Sequence, residues 1–332
     1  MRKSQLTEKH INTIYFGGGT PSNLNTEELN EILSTIRENY EIGQNAEITL
    51  EANPENLDKG YLSALREIGI NRLSIGIQSF DDEMLNFLKR RHSAQKAIDS
   101  VNLAHNCGFN DISIDLIYGI DGLSNDMWEK ELEVALSLPI THISCYCLGI
   151  EEGTLLHRYT TEGKYHPADE ETCLQQFLIF DKKMCENGFE HYEISNAGKP
   201  KFHSRHNSSY WDRTEYLGFG PAAHSYFANT RSWNIANVKE YCEKIAKGES
   251  FSTSENLTQD DIYEETIMLG LRTDKGIDLD EIAKKFGNNK ADYLRMNIEK
   301  LQKELYEFDG QHFSLTAKGM FVSDGIIVEM IG

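Results

Sequence analysis

The chain has 332 residues, 39% hydrophobic residues and a formal net charge of −20 at pH 7. That length exceeds one compact domain, so we expect one barrel-sized unit and a smaller one. The sequence has no run of about 18 apolar residues, so we expect no transmembrane helix. The acidic charge excludes general binding to nucleic-acid phosphates, which depends on Lys and Arg, and the six cysteines, which lack zinc or disulfide spacing, predict a reducing, cytoplasmic compartment.

Strand and helix patterns alternate through the first half of the chain. Runs of β-branched and aromatic residues predict five strands, at Thr13–Phe16, Glu47–Ala52, Arg72–Ile77, Ile112–Ile117 and His142–Leu148. Amphipathic stretches between them predict four helices, at Thr26–Asn39, Lys59–Ile68, Ala94–Asn106 and Met127–Ser137. An alternation of this period is typical of a parallel sheet or a (β/α) barrel, so we expect an α/β fold.

The second half of the chain is less regular. A loop-rich stretch, Glu151–Pro167, precedes a predicted long helix near Asp169–Asn187, and Tyr192–Trp233 has an irregular pattern rich in aromatic residues and histidines. The C-terminal part predicts three helices, a hairpin and a last helix, at Gln259–Leu271, Asp278–Phe286, Ala291–Leu305, Tyr306–Leu315 and from Thr316 onwards. This order of elements is typical of a winged-helix module.

We therefore expect three parts: a barrel unit at 1–168, a connecting helical and irregular region at 169–256, and a mostly helical winged-helix-like domain at 257–332. Winged helices often bind DNA through their third helix. Acidic side chains outnumber basic ones within 257–332, however. We expect no nucleic-acid partner and interpret this domain as one that packs against the barrel or a protein partner.

Glycines or a polar side chain stand at the ends of four predicted strands. The first strand leads into Gly17–Thr20, the second carries Glu51 just before Pro54, the third ends at Gln78, and the fourth contains Asp115 within an apolar run. Taken singly, the glycines are typical of a tight turn, and each polar side chain has the alternative role of capping a helix or satisfying a loop. Because parallel strands end at one rim of a barrel, the four together predict one shared ligand pocket.

These motifs resemble those of the radical S-adenosylmethionine (SAM) enzymes. The matching segments are GGGTPS, EANP, GIQSF followed by a helix carrying Arg90-Arg-His92, and DLIYG. Within the family they look like the branch that contains oxygen-independent coproporphyrinogen III oxidase and the heme chaperone HemW. The resemblance implies an incomplete, TIM-like (β/α) barrel whose motifs bind SAM.

The resemblance also implies a role for each matching position. The methionine amino end is expected to meet Gly18, Gly19 and Thr20, and the polar methionine or ribose groups are expected to meet Glu51 and Arg90. The ribose hydroxyls are expected to bond to Gln78 and Asp115, and the adenine is expected to lie beside Ile117. These groups suit SAM chemically. A zwitterionic ligand with a sulfonium group needs backbone polar groups, a carboxylate and a guanidinium around its charges, and its ribose diol needs hydrogen-bond acceptors.

One family motif is not found. The C-x-x-x-C-x-x-C segment of the family supplies three thiolates to a [4Fe–4S] cluster, and none of the six cysteines has this spacing. The chain begins at what the family pattern places before its second strand, so we expect a truncated family member. The alternative is that the family fold persists here without radical chemistry. We expect such a chain to bind SAM more weakly and to be inactive in reductive cleavage of SAM.

A second motif, His206–Trp211, has the sequence HNSSYW and resembles the H-N-x-x-Y-W motif associated with heme binding in the chaperone branch. A neutral imidazole is a good axial ligand for heme iron, and aromatic neighbours could flank a flat macrocycle. The alternative is that His206 bonds to backbone in an irregular segment while Trp211 packs in the core. His224 and His203 are weaker candidates.

The motifs together predict a heme-chaperone-like radical SAM protein with SAM and heme as ligands and a heme-recipient protein as partner. The alternatives are an oxygen-independent coproporphyrinogen III oxidase of porphyrin biosynthesis and a heme-binding module without catalysis. The short Gln78-Ser79 form of the third motif and the His206 motif favour the chaperone. The sequence leaves open whether heme is bound covalently and whether the chain forms a homodimer.

Overall fold

The computed structural model describes residues 6 and 10–331. Its largest element is a seven-stranded sheet with the order β1-β2-β3-β4-β5-β7-β6, in which the first five strands are parallel and the last two are antiparallel. The strands of this sheet are β1 (His10–Phe16), β2 (Glu41–Ala52), β3 (Arg72–Gln78), β4 (Asp111–Tyr118), β5 (His142–Cys147), β6 (Glu190–Glu193) and β7 (Asn196–Gly198).

Helices connect the parallel strands in sequence, as expected for a (β/α) barrel. They are α1 (Thr26–Asn39), α2 (Lys59–Ile68), α3 (Asp82–Phe87), α4 (Ala94–Asn106) and α5 (Asn125–Ser137). Local chemistry fixes their ends: Asn25 and Glu28 form a capping box before α1, and Gly69, with a φ of 102°, ends α2 in the left-handed conformation. The buried apolar residues of α1, α2, α4 and α5 belong to the same hydrophobic core as those of the five parallel strands.

The sheet is curved, so that side chains from β1 and from β5 line one interior space. Tyr15 on β1 and Tyr146 on β5 line the same cavity of about 330 Å³, although three strands separate them in the sheet. We call this space the inner cavity; its lining is almost entirely polar and includes Ser74, Ser113 and Ser144. The fold is therefore α/β, with an open, incomplete barrel, as the sequence predicts.

The region after β5 contains more regular structure than the sequence indicates. Its further elements are α6 (Leu155–Thr161), α7 (Glu170–Glu186), α8 (Arg205–Trp211), β8 (His224–Phe227), β9 (Thr230–Asn234), α9 (Val238–Lys247) and β10 (Ser252–Asn256). The expectation of an irregular 192–233 was wrong, because strands of three to five residues are too short to display a period. Likewise, a short helix lies inside 151–167, where only a loop was expected.

The long helix α7 is fixed to the barrel by a buried glutamine. Gln176 accepts a hydrogen bond from the backbone N–H of Gly119 at the end of β4, and its backbone carbonyl accepts one from Trp128 Nε1 on α5, both at 2.8 Å. Gln176 is fully buried, so these bonds satisfy polar groups that would otherwise be costly.

The C-terminal part has the predicted order of helices and hairpin. Its elements are α10 (Gln259–Gly270), β11 (Ile277–Asp278), α11 (Leu279–Phe286), α12 (Asn288–Ile298), β12 (Tyr306–Phe308), β13 (His312–Leu315), α13 (Ala317–Phe321) and α14 (Ser323–Ile331). The three strands form a small sheet with the order β11-β13-β12.

Two helix limits in this part differ from the prediction. The third helix does not reach residue 305, because the carbonyls of Asn297 and Ile298 accept from N–H groups three residues on and the chain turns toward the hairpin. The last helix is two short segments that meet at Val322. No helix among the described residues is long and apolar enough to cross a membrane. The expected lead-in to the barrel before His10 lies outside them.

Candidate functional site

A cleft of about 420 Å³ lies at the C-terminal ends of the parallel strands. We call it the strand-end cleft, and the residues that line it are Gly19, Thr20, Pro21, Glu51, Ala52, Asn53, Ser74, Gly76, Gln78, Arg90 and Asp115. Six of the eight positions expected to meet SAM are therefore in one lining. Gly18 contacts this lining through Glu51. Ile117 lies further along β4, half-buried and outside the lining.

The glycine loop after β1 is held by Glu51. The backbone N–H of Gly18 donates to Glu51 Oε2 at 3.2 Å, and the Tyr15 hydroxyl donates to Glu51 Oε1 at 2.8 Å. A Cβ at Gly17 would come within 2.5 Å of Tyr15 Cε1 and 2.8 Å of Glu51 Oε1, so a side chain there would displace both partners. The carboxylate thus joins the loop, β1 and β2 at one point of the cleft.

Gln78 has an unusual backbone conformation. Its φ is 72°, a region that non-glycine residues occupy only when the surroundings enforce it. Those surroundings are provided by Glu131 on α5, which accepts from the Ser79 hydroxyl and from the Phe80 backbone N–H, the latter at 3.2 Å. Burial raises the pKa of Glu131 to about 7. Sequence reasoning missed Glu131, since nothing in its helical pattern distinguishes it from exposed glutamates nearby.

Arg90 reaches the cleft from a turn. The expectation that a helix carries Arg90-Arg-His92 was wrong: α3 ends at Phe87, and Lys89, with a φ of 58°, reverses the chain. Arg90 Nη2 donates to Asn53 Oδ1 and to the Gly76 carbonyl, both at 2.8 Å. These two bonds hold the guanidinium across the ends of β2 and β3, beside Gln78.

Asp115 lies between the strand-end cleft and the inner cavity and lines both. The Ser74 hydroxyl donates to its Oδ1 at 3.1 Å. Burial raises the pKa of Asp115 to about 6, and the nearby Glu51 carboxylate contributes to the rise, while the bonds from Ser74 and Ser144 oppose it. The serines were missed by sequence reasoning because small polar residues inside strands are common.

The HNSSYW motif forms α8, which docks against β1. His206 Nδ1 lies 2.9 Å from Thr13 Oγ1, and His206 Nε2 lies 2.9 Å from the Tyr210 hydroxyl. The imidazole stacks on the Tyr15 ring, with centroids 4.8 Å apart and planes at 16°. Burial lowers the pKa of His206 to about 4, so the ring is neutral at pH 7. One ring nitrogen therefore donates and the other keeps a lone pair.

A buried glutamate anchors the start of α8. Glu47 on β2 accepts from the backbone N–H of Arg205 at 2.9 Å and of His206 at 3.0 Å. Its side chain is 5% exposed, and Arg205 Nε lies 3.8 Å from Glu47 Oε2. The alternative, in which His206 bonds to backbone in an irregular segment, does not match the structure, where His206 lies in a helix and has side-chain partners. Glu47 was missed because its partners are more than 150 residues away.

The other histidines lie elsewhere. His203 stacks on Tyr192 with centroids 4.1 Å apart and pairs with Glu190 at 2.8 Å. His224 is exposed at the start of β8, with its ring centroid 6.3 Å from that of Trp233. Neither lines the strand-end cleft or the inner cavity.

The residues present fit SAM by the chemistry of their donors and acceptors. The cleft combines the backbone of the glycine loop with a carboxylate, a guanidinium and a side-chain amide. A Cβ at Gly76 would come within 2.9 Å of Gln78 Nε2, so glycine keeps this part of the cleft open. The neutral His206 imidazole has the chemistry of an axial ligand for heme iron. On the same helix, the indole N–H of Trp211 is buried without a hydrogen-bond partner. Over 10–331 no group of three or more His, Cys, Asp or Glu side chains could hold a metal ion.

Comparisons with known proteins agree with this geometry. A family model described as the radical SAM superfamily matches residues 2–135, and one described as the HemN C-terminal domain matches 257–322. The heme chaperone HemW of Bacillus subtilis (strain 168) is 35% identical over 281 residues, which cover 84% of this chain and 74% of the relative. That of Lactococcus lactis subsp. lactis is 32% identical over 326 residues, covering 97% and 85%.

Among solved structures, the coproporphyrinogen III oxidase HemN of Escherichia coli, described as a radical SAM enzyme, has a TM-score of 0.81. It is 22% identical and the match covers 97% of this chain and 78% of that one. At this identity the likeness establishes the fold, and it agrees with the incomplete barrel described above.

Proposed function

Because the chain belongs to the heme chaperone HemW family of the radical SAM superfamily, we propose that it binds SAM in the strand-end cleft, carries heme on His206 and passes that heme to a recipient protein. In this superfamily SAM supplies reductive-cleavage chemistry at an iron–sulfur cluster. Heme is cargo in this proposal, so its binding and release are the functional events.

The SAM part of the proposal is supported by the composition of the cleft. A Cβ at Gly18 or Gly19 would meet no atom of the described residues within 4 Å, so the glycine loop, with Thr20 after it, leaves room for a methionine amino end. Glu51 complements the positive charge of an amino or sulfonium group. Asp115 and Gln78 supply acceptors for ribose hydroxyls. Two further roles are proposed from the family pattern alone. Arg90 would contact the polar methionine or ribose groups, and Ile117 would lie beside the adenine.

The heme part of the proposal is supported by one observation above all: His206 is a neutral imidazole held from two sides. If Nδ1–H donates to Thr13, the lone pair is at Nε2, whose partner is the hydroxyl of Tyr210, a residue that is 37% exposed. Iron ligation at Nε2 then requires only that the Tyr210 hydroxyl moves away. The Tyr210 ring stands nearly perpendicular to the imidazole and to the ring of Tyr216, so it offers an aromatic edge beside a macrocycle bound at Nε2.

The test is a titration of the full chain with hemin, followed by the Soret band. His206→Ala should shift the Soret maximum and weaken hemin binding at least tenfold, because the axial ligand is removed. His224→Ala is the matched control, since it removes an exposed histidine that lies outside both the cleft and the α8 contacts. Unchanged hemin spectra in His206→Ala, or an equal loss in His224→Ala, would overturn the assignment of the ligand.

We further propose that these 332 residues do not cleave SAM reductively, since the sequence contains no C-x-x-x-C-x-x-C. After anaerobic incubation with iron, sulfide and a reductant, the chain should produce no 5′-deoxyadenosine from SAM. Production of 5′-deoxyadenosine would contradict this proposal, and oxidation of coproporphyrinogen under the same conditions would favour the oxidase alternative.

A further inference from the structure

Tyr15 contacts both proposed sites. Its hydroxyl donates to Glu51 Oε1 at 2.8 Å in the strand-end cleft, and its ring stacks on the His206 imidazole with centroids 4.8 Å apart. Glu51 uses its other oxygen to accept from Gly18 N–H. A single side chain therefore connects the glycine loop and its carboxylate to the candidate heme ligand.

The two sites are also built on the same pair of strands. Thr13 and Tyr15, two residues apart on β1, point to the same face, and both contact His206. On β2, Glu47 binds the first turn of α8 and Glu51 lies in the cleft four residues on, again on the same face. Thr13 pairs with Glu47 in the parallel register, so two supports of α8 are direct neighbours, and Tyr15 and Glu51 follow them two and four residues further along the same strands.

The Tyr15 phenol stays protonated and so keeps its hydrogen bond to Glu51. Tyr15 is enclosed by protein, so that burial and the Glu51 carboxylate both hold the pKa of its phenol well above the ordinary value and it remains a hydrogen-bond donor. Since Glu51 Oε1 accepts from the Tyr15 hydroxyl, the position of the carboxylate sets the position of the ring. The ring in turn covers one face of the imidazole.

We propose that Tyr15 is a positioning residue that couples the two sites, so that SAM in the strand-end cleft strengthens the binding of heme at His206. The inference rests on the proposed function and deepens it. A cationic ligand beside Glu51 fixes that carboxylate, the fixed carboxylate orders the Tyr15 ring, and the ordered ring holds His206 ready for iron. Binding to a pre-organised site loses less freedom and is therefore tighter.

Coupling of this kind is reciprocal, and it has a measurable size. If SAM lowers the Kd of hemin by a factor, hemin must lower the Kd of SAM by the same factor. Couplings in proteins are typically about 5-fold or more, so we expect a factor of at least about 5 in each direction. The hemin Kd is read from Soret titrations with and without saturating SAM, and the SAM Kd from equilibrium dialysis with and without hemin, using the full chain.

Tyr15→Phe tests the link, because it keeps the ring over His206 and removes only the hydroxyl that reaches Glu51. In this variant both factors should fall to about one, whatever the two separate Kd values become. Tyr61→Phe is the matched control: the Tyr61 hydroxyl donates to the Leu24 carbonyl at 3.0 Å, away from both sites, and its loss should leave the factor as in the wild type. Thermal unfolding of each variant checks that the fold is retained.

The outcomes separate the two proposals. If the wild type binds both ligands with a factor near one, or if Tyr15→Phe keeps the wild-type factor, the coupling through Tyr15 is overturned while the proposed function stands. If the wild type fails to bind SAM or hemin, the proposed function fails and the coupling fails with it. Tyr15→Leu, which removes the ring as well, should lower hemin affinity in the absence of SAM; unchanged affinity would show that the stacked ring does not position His206.

Discussion

The strand-end cleft and the docked helix α8 are neighbours built in different ways. The cleft collects Glu51, Gln78 and Asp115 from successive strands, where the (β/α) order alone brings the side chains together. Helix α8 is held by contacts to β1 and β2 that join residues 158 to 193 positions apart. One site therefore depends on the barrel itself and the other on a few docking contacts, so substitutions should affect them separately.

The largest expected effect comes from the docking contact of Glu47. Glu47→Ala leaves the N–H groups of Arg205 and His206 without their acceptor, which should lower the free energy of unfolding by about 2–3 kcal/mol. Hemin binding should weaken strongly because α8 loses its anchor, while SAM binding should change little. Urea unfolding and the two binding assays measure these effects.

Glu41→Ala is the matched control for that experiment. It removes a glutamate from the same strand whose side chain is 78% exposed and lies 3.7 Å from His10 Nδ1. Its free energy of unfolding should change by less than about 0.5 kcal/mol. If Glu47→Ala lost SAM binding as strongly as hemin binding, the two sites would not be separately supported.

The same contrast explains what the sequence could predict. Strand ends are local features, so GGGTPS, EANP and DLIYG identify Gly19, Glu51 and Asp115 from the order of residues alone. Glu47 and Glu131 carry no local sign of their partners, because those partners lie in other elements and only the tertiary fold brings them near. The limits of α3 and α12 were mispredicted for a related reason: a left-handed residue at Lys89 and a turn after Ile298 follow from no period in the sequence.

The next effect concerns Asp115 and pH. The raised pKa of about 6, against an ordinary 3.8, means that the folded chain holds a proton that the unfolded chain has already lost. Between about pH 4 and 6 the contribution of Asp115 therefore lowers stability as pH rises, by about 1.4 kcal/mol per pH unit, and above about pH 6 the loss is complete. Asp115→Asn should thus be more stable than the wild type by about 2–3 kcal/mol at pH 7, and equal to it below about pH 4.

That variant should nevertheless bind SAM more weakly, since an amide is a poorer acceptor for ribose hydroxyls than a carboxylate. Asp121→Asn, at an exposed position shortly after the same strand, should alter neither quantity. Urea unfolding at pH 4 and pH 7, with equilibrium dialysis of SAM at pH 7, measures both. Equal stability of the wild type and Asp115→Asn at both pH values would contradict the raised pKa.

A smaller effect is expected at the support of the Gln78 loop. Glu131→Ala removes the acceptor of the Ser79 hydroxyl and the Phe80 N–H, so Gln78 is no longer held at its positive φ. SAM affinity should fall about tenfold, or about 1.4 kcal/mol. Hemin affinity without SAM should stay the same, because both hydrogen-bond partners of Glu131 lie in the loop after β3 and neither belongs to α8.

Glu133→Ala, which removes a 61% exposed glutamate from the same helix, is the control and should keep the SAM affinity of the wild type. A Glu131→Ala variant that folds and binds SAM normally would show that the strained loop does not depend on this carboxylate. The loop would then be held by the strand and turn that carry it, without help from α5.

The smallest effect should appear at Tyr210, where the docked helix meets solvent. Tyr210→Phe keeps the ring but removes the hydroxyl that lies 2.9 Å from His206 Nε2. Because a typical hydrogen bond contributes about 1 kcal/mol, freeing Nε2 should tighten hemin binding about fivefold. Tyr61→Phe should leave the hemin Kd unchanged. If Tyr210→Phe instead weakens hemin binding, the hydroxyl supports the bound macrocycle, and Nδ1, released from Thr13, becomes the better assignment for the ligating atom.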